Sequence, residues 1–312
     1  MSEIINRVLP IVLLISLGYL LRRKRFISDK GIDDLRKLIV NLALPAVLFL
    51  SFLQIELEVK FLFFIVLTFS LCVILYGLGK LLEPHFGADH EYFPFLMTGF
   101  EYGMLGISLY GSAYGLDKIG HIAIVDLGHE LFIWFVFLAL LIKKRDGIQN
   151  SRILLTSFLK SPVIIAILSG VLVNLLGVSE LLYSLPVSGG VLVTLEYLGN
   201  LTVPLILIIV GFGINLDRDY IGEALSVTGL RLVLLLPLAV ILSTFLVQRW
   251  MGLNEYFQAA IFTLLILPPP FIIPLFMHPE ASKEKRYVNN VLTIYTIFTI
   301  VLFSLYFLRN PI

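Results

Sequence analysis

Asp126, His129 and Glu130 stand three and four residues apart, a spacing that places all three on roughly one face of a helix. A carboxylate beside a histidine is proton-relay chemistry, because imidazole titrates near neutrality. The same trio could ligate a metal, but no second ligand set stands at a suitable spacing, so no metal is expected. A further carboxylate, Glu101, lies in Gly99-Phe-Glu101-Tyr-Gly103-Met-Leu-Gly106, and a proline cluster, Pro268-Pro269-Pro270, precedes Phe271. Every one of these residues falls inside a long apolar run. Ionisable groups in such runs face a bundle interior or a water-filled cavity, so Glu101, Asp126, His129 and Glu130 are the candidates for binding a coupling ion.

The elements that must carry these groups follow from composition. Of 312 residues, 58% are hydrophobic and 14% charged, against about 45–50% and about 25% in soluble domains. With a mean hydropathy of +0.96, the chain is built for lipid. A net charge of +1 argues against a nucleic-acid partner. The single cysteine, Cys72, excludes an internal disulfide and a cysteine-rich metal site. A bilayer core takes about 20 apolar residues per helix, and ten runs qualify: 4–21, 31–53, 60–82, 92–115, 120–142, 155–176, 190–213, 223–248, 256–277 and 287–308. The first, followed by Arg22-Arg23-Lys24-Arg25, reads as a permanent span rather than a cleaved signal. With both termini outside, only Arg7, Lys60, Lys118, Arg249 and Arg309 of the 23 basic residues fall on the outer side. That segregation follows the positive-inside rule. Arg231 is expected to snorkel to the inner surface, and the short basic inner loops to meet anionic lipid headgroups.

The two halves echo each other. Asn41-Leu-Ala-Leu-Pro45-Ala-Val-Leu48 resembles Asn200-Leu-Thr-Val-Pro204-Leu-Ile-Leu207, 159 residues on, and Glu91-Tyr92-Phe93 recurs as Glu255-Tyr256-Phe257, 164 residues on. These matches pair runs one to five with six to ten. Five is odd, so the second half enters from the opposite side. The expected fold is an all-α polytopic membrane protein of ten transmembrane helices in two inverted repeats, residues 1–150 and 151–312. Runs four and nine should be broken at Gly103–Gly106 and Leu267–Pro270 and cross there, because glycine and proline weaken a helix interior. Paired interruptions of this kind point to a midplane binding site.

The block at Asn41–Pro45, its echo at Asn200 and Pro204, Gly103-x-x-Gly106 and Asp126-Leu-Gly128 together resemble the auxin efflux carrier family of permeases. The resemblance runs over most of the chain. It implies a scaffold domain, a transport domain with crossed helices four and nine, and elevator-like transport of organic anions. Where many relatives carry Asn and Pro around the first break, this chain has Glu101 and Ser108, and Phe271 to Ile273 fill a stretch where relatives often carry Asn. An anion within about 4 Å of a charged Glu101 would meet about 4 kcal/mol of repulsion at an effective dielectric of about 20. Glu101 is therefore expected to carry a coupling proton or to hold a cation.

The expected solute-contacting set is Asn41, Glu101, Tyr102, Gly103, Gly106, Ser108, Asn200, Pro268, Pro269, Pro270 and Phe271. Asn41 and Asn200 are equally suited to satisfying carbonyls freed by the prolines four residues on. The function that follows is secondary active transport of a small organic solute, proton-coupled through Glu101. The rivals are a sodium-coupled carrier and a receptor or lipid sensor that binds without transport. No cofactor is expected, because no nucleotide-binding loop or hydrolase motif is present; nor is the chain expected to be an enzyme. A homodimer is left open.

Overall fold

The computed structural model describes residues 2–55, 58–87, 90–146, 156, 159–278, 280–310 and 312. The start of the sixth apolar run, residues 147–155 of the basic inner loop and the boundary expected between 150 and 151 lie outside the described residues. Among the described residues there is no strand. The chain begins with α1 (Ser2–Arg23) and continues with α2 (Asp29–Gln54) and α3 (Val59–Phe86). A four-residue helix, α4 (Phe93–Leu96), is followed by α5 (102–114) and α6 (Leu116–Arg145). Then come α7 (Pro162–Leu175), α8 (Pro186–Gly213), α9 (Arg218–Trp250), α10 (Glu255–Ile266) and α11 (Ser282–Arg309). Six of these, α2, α3, α6, α8, α9 and α11, are long and apolar enough to cross a membrane, and α7 and α10 are shorter apolar helices.

Local chemistry sets the boundaries. Ser28 caps α2 by accepting from the Gly31 N–H at 3.1 Å, and Asn254 caps α10 by accepting from Phe257 N–H at 3.2 Å. Pro45 lacks an N–H, and the turn before it, Ile39–Ala43, widens to a π-helix. α10 stops where Leu267 turns extended ahead of the three prolines, and a 3-10 turn at Ile273–Phe276 follows. Neither the fourth nor the ninth apolar run is one helix.

Small residues let helices meet at backbone distance, the usual device where lipid supplies no hydrophobic drive between helices. α1 lies against the second half of α8. A Cβ on Gly211 would stand 1.9 Å from the carbonyl oxygen of Ile15, and one on Gly18 2.0 Å from that of Ile208. α7 lies against α2, where a Cβ on Gly170 would stand 2.7 Å from the Phe49 oxygen. Asn174 of α7 donates to the carbonyls of Phe52, Leu53 and Ile55, closing the C-terminal end of α2. Around the interrupted segments, α3 packs on α6 and α4, while α9 packs on α11 and α10.

Candidate functional site

The two interruptions lie against each other, and their backbone groups account for the arrangement. A buried peptide group without a partner is costly, and in hydrocarbon there is no water to supply one. The chain supplies partners from both breaks. The Glu101 N–H donates to the Pro268 oxygen at 2.8 Å. The Phe100 N–H donates to Nε2 of His129 at 2.9 Å. The carboxylate of Glu101 accepts from the N–H of Met104 at 3.2 Å through one oxygen and from the N–H of Phe271 at 2.5 Å through the other. The Thr299 hydroxyl donates to the Ile266 oxygen at 2.7 Å. Gly99 turns the chain with φ at +72°, and a Cβ there would stand 2.7 Å from the Pro270 ring. Only glycine enters that conformation without strain beside such a neighbour.

The first break therefore lies at Thr98–Glu101, a few residues before Gly103 and Gly106, which form part of the π-helical turn that opens α5. The cause is Gly99, whose left-handed turn ends the helix before the Gly103-x-x-Gly106 pair is reached. Gly106 still touches the second break: a Cβ there would stand 2.8 Å from the Leu267 side chain. Gly103 faces open space.

A cavity of about 470 Å³ reaches this place. Its wall includes Glu101, Met104 and Phe271 from the breaks, and Arg22, Arg36, Asn215 and Asn289 from segments whose basic residues mark the expected inner side. Arg22 is anchored by bonds to the Phe212 and Ile214 oxygens, each at 3.2 Å, and Arg36 pairs with Asp33 at 3.0 Å. Beside Asn215, outside the helices, Asp217 bonds Arg286, and that hydrogen bond, with a second from the Asp219 N–H, holds its carboxyl below the usual aspartate value. Asn290 ties the same loop by donating to the Asp217 oxygen at 2.5 Å and accepting from its N–H at 2.7 Å.

Asp126, His129 and Glu130 come together on α6, as their spacing predicts. Each offers a ligand atom within 4.8 Å of the others. The geometry assigns the imidazole a fixed job. Its Nε2 accepts from the Phe100 N–H, so the proton is on Nδ1 and is donated to Asp126 at 2.8 Å. Neither ring nitrogen has a lone pair left for a metal in this arrangement. Glu130 accepts from the Trp134 indole N–H at 3.1 Å. The second oxygen of Asp126 is buried without a hydrogen-bond partner.

Other expected positions land elsewhere. Tyr102 and Ser108 are buried on α5, where the Ser108 hydroxyl donates to the Met104 oxygen at 2.6 Å. Pro268, Pro269 and Pro270 are buried at the second break. Asn41 is exposed and donates to the Lys37 oxygen one turn back at 2.7 Å. Asn200 lines a separate cavity of about 270 Å³ with Glu196 and Asp117. Neither asparagine lines the cavity at the breaks.

Arg231 does not snorkel. It is 0% exposed and spans both breaks, donating to the carbonyls of Leu96 at 3.1 Å, Gly99, and Leu267 at 3.4 Å. Unpaired carbonyls at the ends of interrupted helices draw it inward more strongly than the membrane surface draws it out. Sequence gave one overlooked signal: no acidic partner stands one turn away from Arg231 on its own helix, at 227, 228, 234 or 235. His90, just before the fourth apolar run, is tucked between Glu284 at 2.8 Å and Glu223 at 3.2 Å and stacked on Tyr287.

Comparison with known proteins covers nearly the whole chain. The family described as Membrane transport protein matches residues 3–307. An uncharacterized transporter of Methanothermobacter thermautotrophicus is 28% identical over 254 residues, covering 79% of this chain and 80% of that protein.

Proposed function

The chain belongs to the membrane transport protein family, that of the auxin efflux carriers, and we propose that this multi-pass transporter moves a small organic solute together with a proton carried by Glu101. The observation that carries the reading is the Glu101 carboxylate, lying on backbone N–H groups from both breaks at the wall of a cavity of about 470 Å³. Those N–H groups are what an anionic solute would use. A carboxylate of the protein already occupies them.

Competition for the same donors gives a coupling mechanism. When Glu101 takes up a proton, one of its oxygens becomes a hydroxyl and loosens its hold on the Phe271 N–H. An organic anion entering past Arg22 and Arg36 then accepts from that N–H. Proton and anion leave as a neutral sum, and the Glu101 carboxylate returns to its donors. The organic-anion cargo comes from family resemblance; the proton comes from the position of Glu101. His129 acts beside this step by fixing the Phe100 N–H, and so the first break, to the carboxyl of Asp126. Asp126 and Glu130 complete the proposed ion-coupling set.

We read the architecture as ten spans with both termini outside, in two inverted five-helix repeats, with the interrupted segments crossing between α3, α6, α9 and α11. Packing supports the repeat independently of the sequence echo. Gly18 of α1 faces the Ile208 oxygen of α8, and Gly170 of α7 faces the Phe49 oxygen of α2. Residues 49 and 208 are 159 apart, the offset that relates Asn41 to Asn200. In the elevator motion that the family suggests, α1, α2, α7 and α8 form the scaffold and the remainder moves.

The test is uptake of labelled mono- and dicarboxylates into proteoliposomes under an imposed pH gradient. Wild-type flux is expected to rise severalfold with the acid side at the cavity mouth, and Glu101→Gln to lose that dependence. Wild-type flux indifferent to pH would remove the proton from the mechanism, and specific solute binding without flux would move the protein to the receptor class.

A further inference from the structure

We propose that the guanidinium of Arg231 is the resident cation of the two breaks, seated on the carbonyl ring that would otherwise hold a free alkali cation, so that this transporter works without sodium. Where helices of a carrier are interrupted, unwound carbonyls and half-helix C-terminal ends are the groups that coordinate a coupling cation. Hard monovalent and divalent cations take oxygen ligands of this type. Here three such oxygens converge: Leu96 at the end of α4, Gly99 within the first break and Leu267 at the end of α10. All three accept from one side chain reaching in from α9.

The surroundings fit a fixed charge rather than an ordinary ion pair. Arg231 is fully buried, and it makes no salt bridge with a carboxylate among the described residues. Its charge is balanced by the carbonyl dipoles and by the faces of Phe100 and Tyr295, each ring 5.3 Å from the guanidinium carbon. Arginine stays charged where lysine would not, so this cation cannot leave by losing a proton. The two ends of the breaks are thus supplied in opposite ways. Glu101, which can take up a proton, serves the N–H groups, and Arg231, which cannot give one up, serves the carbonyls. A sodium-coupled carrier with Glu101 and these carbonyls as ligands would have to expel Arg231 first.

The inference deepens the reading of the breaks as a transport site and rests on it for the flux measurement, but not for the stability measurement. Purified full-length protein is melted at fixed pH and ionic strength in sodium chloride and in choline chloride, alongside Arg231→Ala, Arg231→Met and Arg231→Lys. Wild-type melting and proteoliposome flux are expected to be the same in both salts. Arg231→Met, which keeps the bulk but frees three buried carbonyls, is expected to melt at least about 4 °C lower. Arg231→Ala should regain melting temperature with low-millimolar methylguanidinium or sodium, and not with choline. Sodium-dependent wild-type melting or flux would overturn the proposal, as would Arg231→Met melting like wild type, or Arg231→Ala responding equally to all cations. If the Ala and Met variants do not fold, the wild-type comparison and Arg231→Lys decide: sodium indifference with a folded Lys variant upholds the assignment. Absent flux with the expected melting pattern would count against transport and leave the assignment of Arg231 standing.

Discussion

Glu101 accepts from two N–H donors that belong to different breaks, and this sets what a substitution there will do. A glutamine has one carbonyl oxygen for two donors, and its amide nitrogen would face the other N–H. Glu101→Gln is expected to lose about 1–3 kcal/mol in denaturant unfolding, alongside its loss of pH-dependent flux. His129 offers a second case. His129→Phe preserves ring volume but deprives both the Phe100 N–H and the Asp126 carboxyl of their partner, so a loss of about 2–5 kcal/mol is expected, read by the same unfolding curve. The pairing of Asp126 with His129 was legible from their spacing, because i,i+3 neighbours share a helix face. The bond from Phe100 was not, because it joins two elements. At the partly buried Asp217, held below the usual aspartate value by Arg286, the sign runs with acid. The stabilisation is present above about pH 4 and is lost as pH falls through the folded-state value. Arg286→Gln should lower the melting temperature at pH 7, with the gap from wild type closing below about pH 4.

Between elements, the backbone-to-backbone contact of α1 and α8 predicts a sharp contrast between two neighbouring glycines. A side chain on Gly211 meets the Ile15 oxygen, whereas nothing lies within 4 Å of a Cβ on Gly213. Gly211→Val is expected to destabilise by about 3 kcal/mol or more, and Gly213→Ala to change stability by less than about 1 kcal/mol, both measured by thermal unfolding in detergent. The apolar runs announced most helices, because hydrocarbon thickness fixes how long such a run must be. That runs four and nine would be interrupted was legible in their glycines and prolines. The place of the first interruption was not, since it depends on Gly99 taking a positive φ against Pro270, a contact made only after the two segments meet. Asn41 and Asn200 lie away from the cavity at the breaks, because a sequence echo shows equivalent positions, not which way a side chain points. Arg231 was misread because an arginine near a span end has two polar destinations, and only the packed structure shows which carbonyls lack partners.

For the molecule as a whole, the segregation of basic residues makes topology testable by chemistry. Cys72 is fully buried, so the native chain offers a quiet background for thiol labelling. Lys60→Cys and Arg309→Cys are expected to react with a membrane-impermeant maleimide on intact cells, and Lys24→Cys only after permeabilisation; all three positions are exposed. Reaction of Lys24→Cys on intact cells would invert the proposed orientation. Fold class and membrane character were readable because they follow from summed hydropathy, which no single contact can change. How Arg231 and Glu101 are answered was not, because both bond backbone groups far from them in the chain. That self-sufficiency bears on how the carrier resets. With Arg231 on its carbonyls and Glu101 on its amides, each pole of the breaks is already answered from within, so the proposed mechanism predicts a return journey without a passenger. On that proposed mechanism the carrier is expected to fill a compartment in one direction, and solute on the far side of the bilayer is expected not to speed uptake into proteoliposomes.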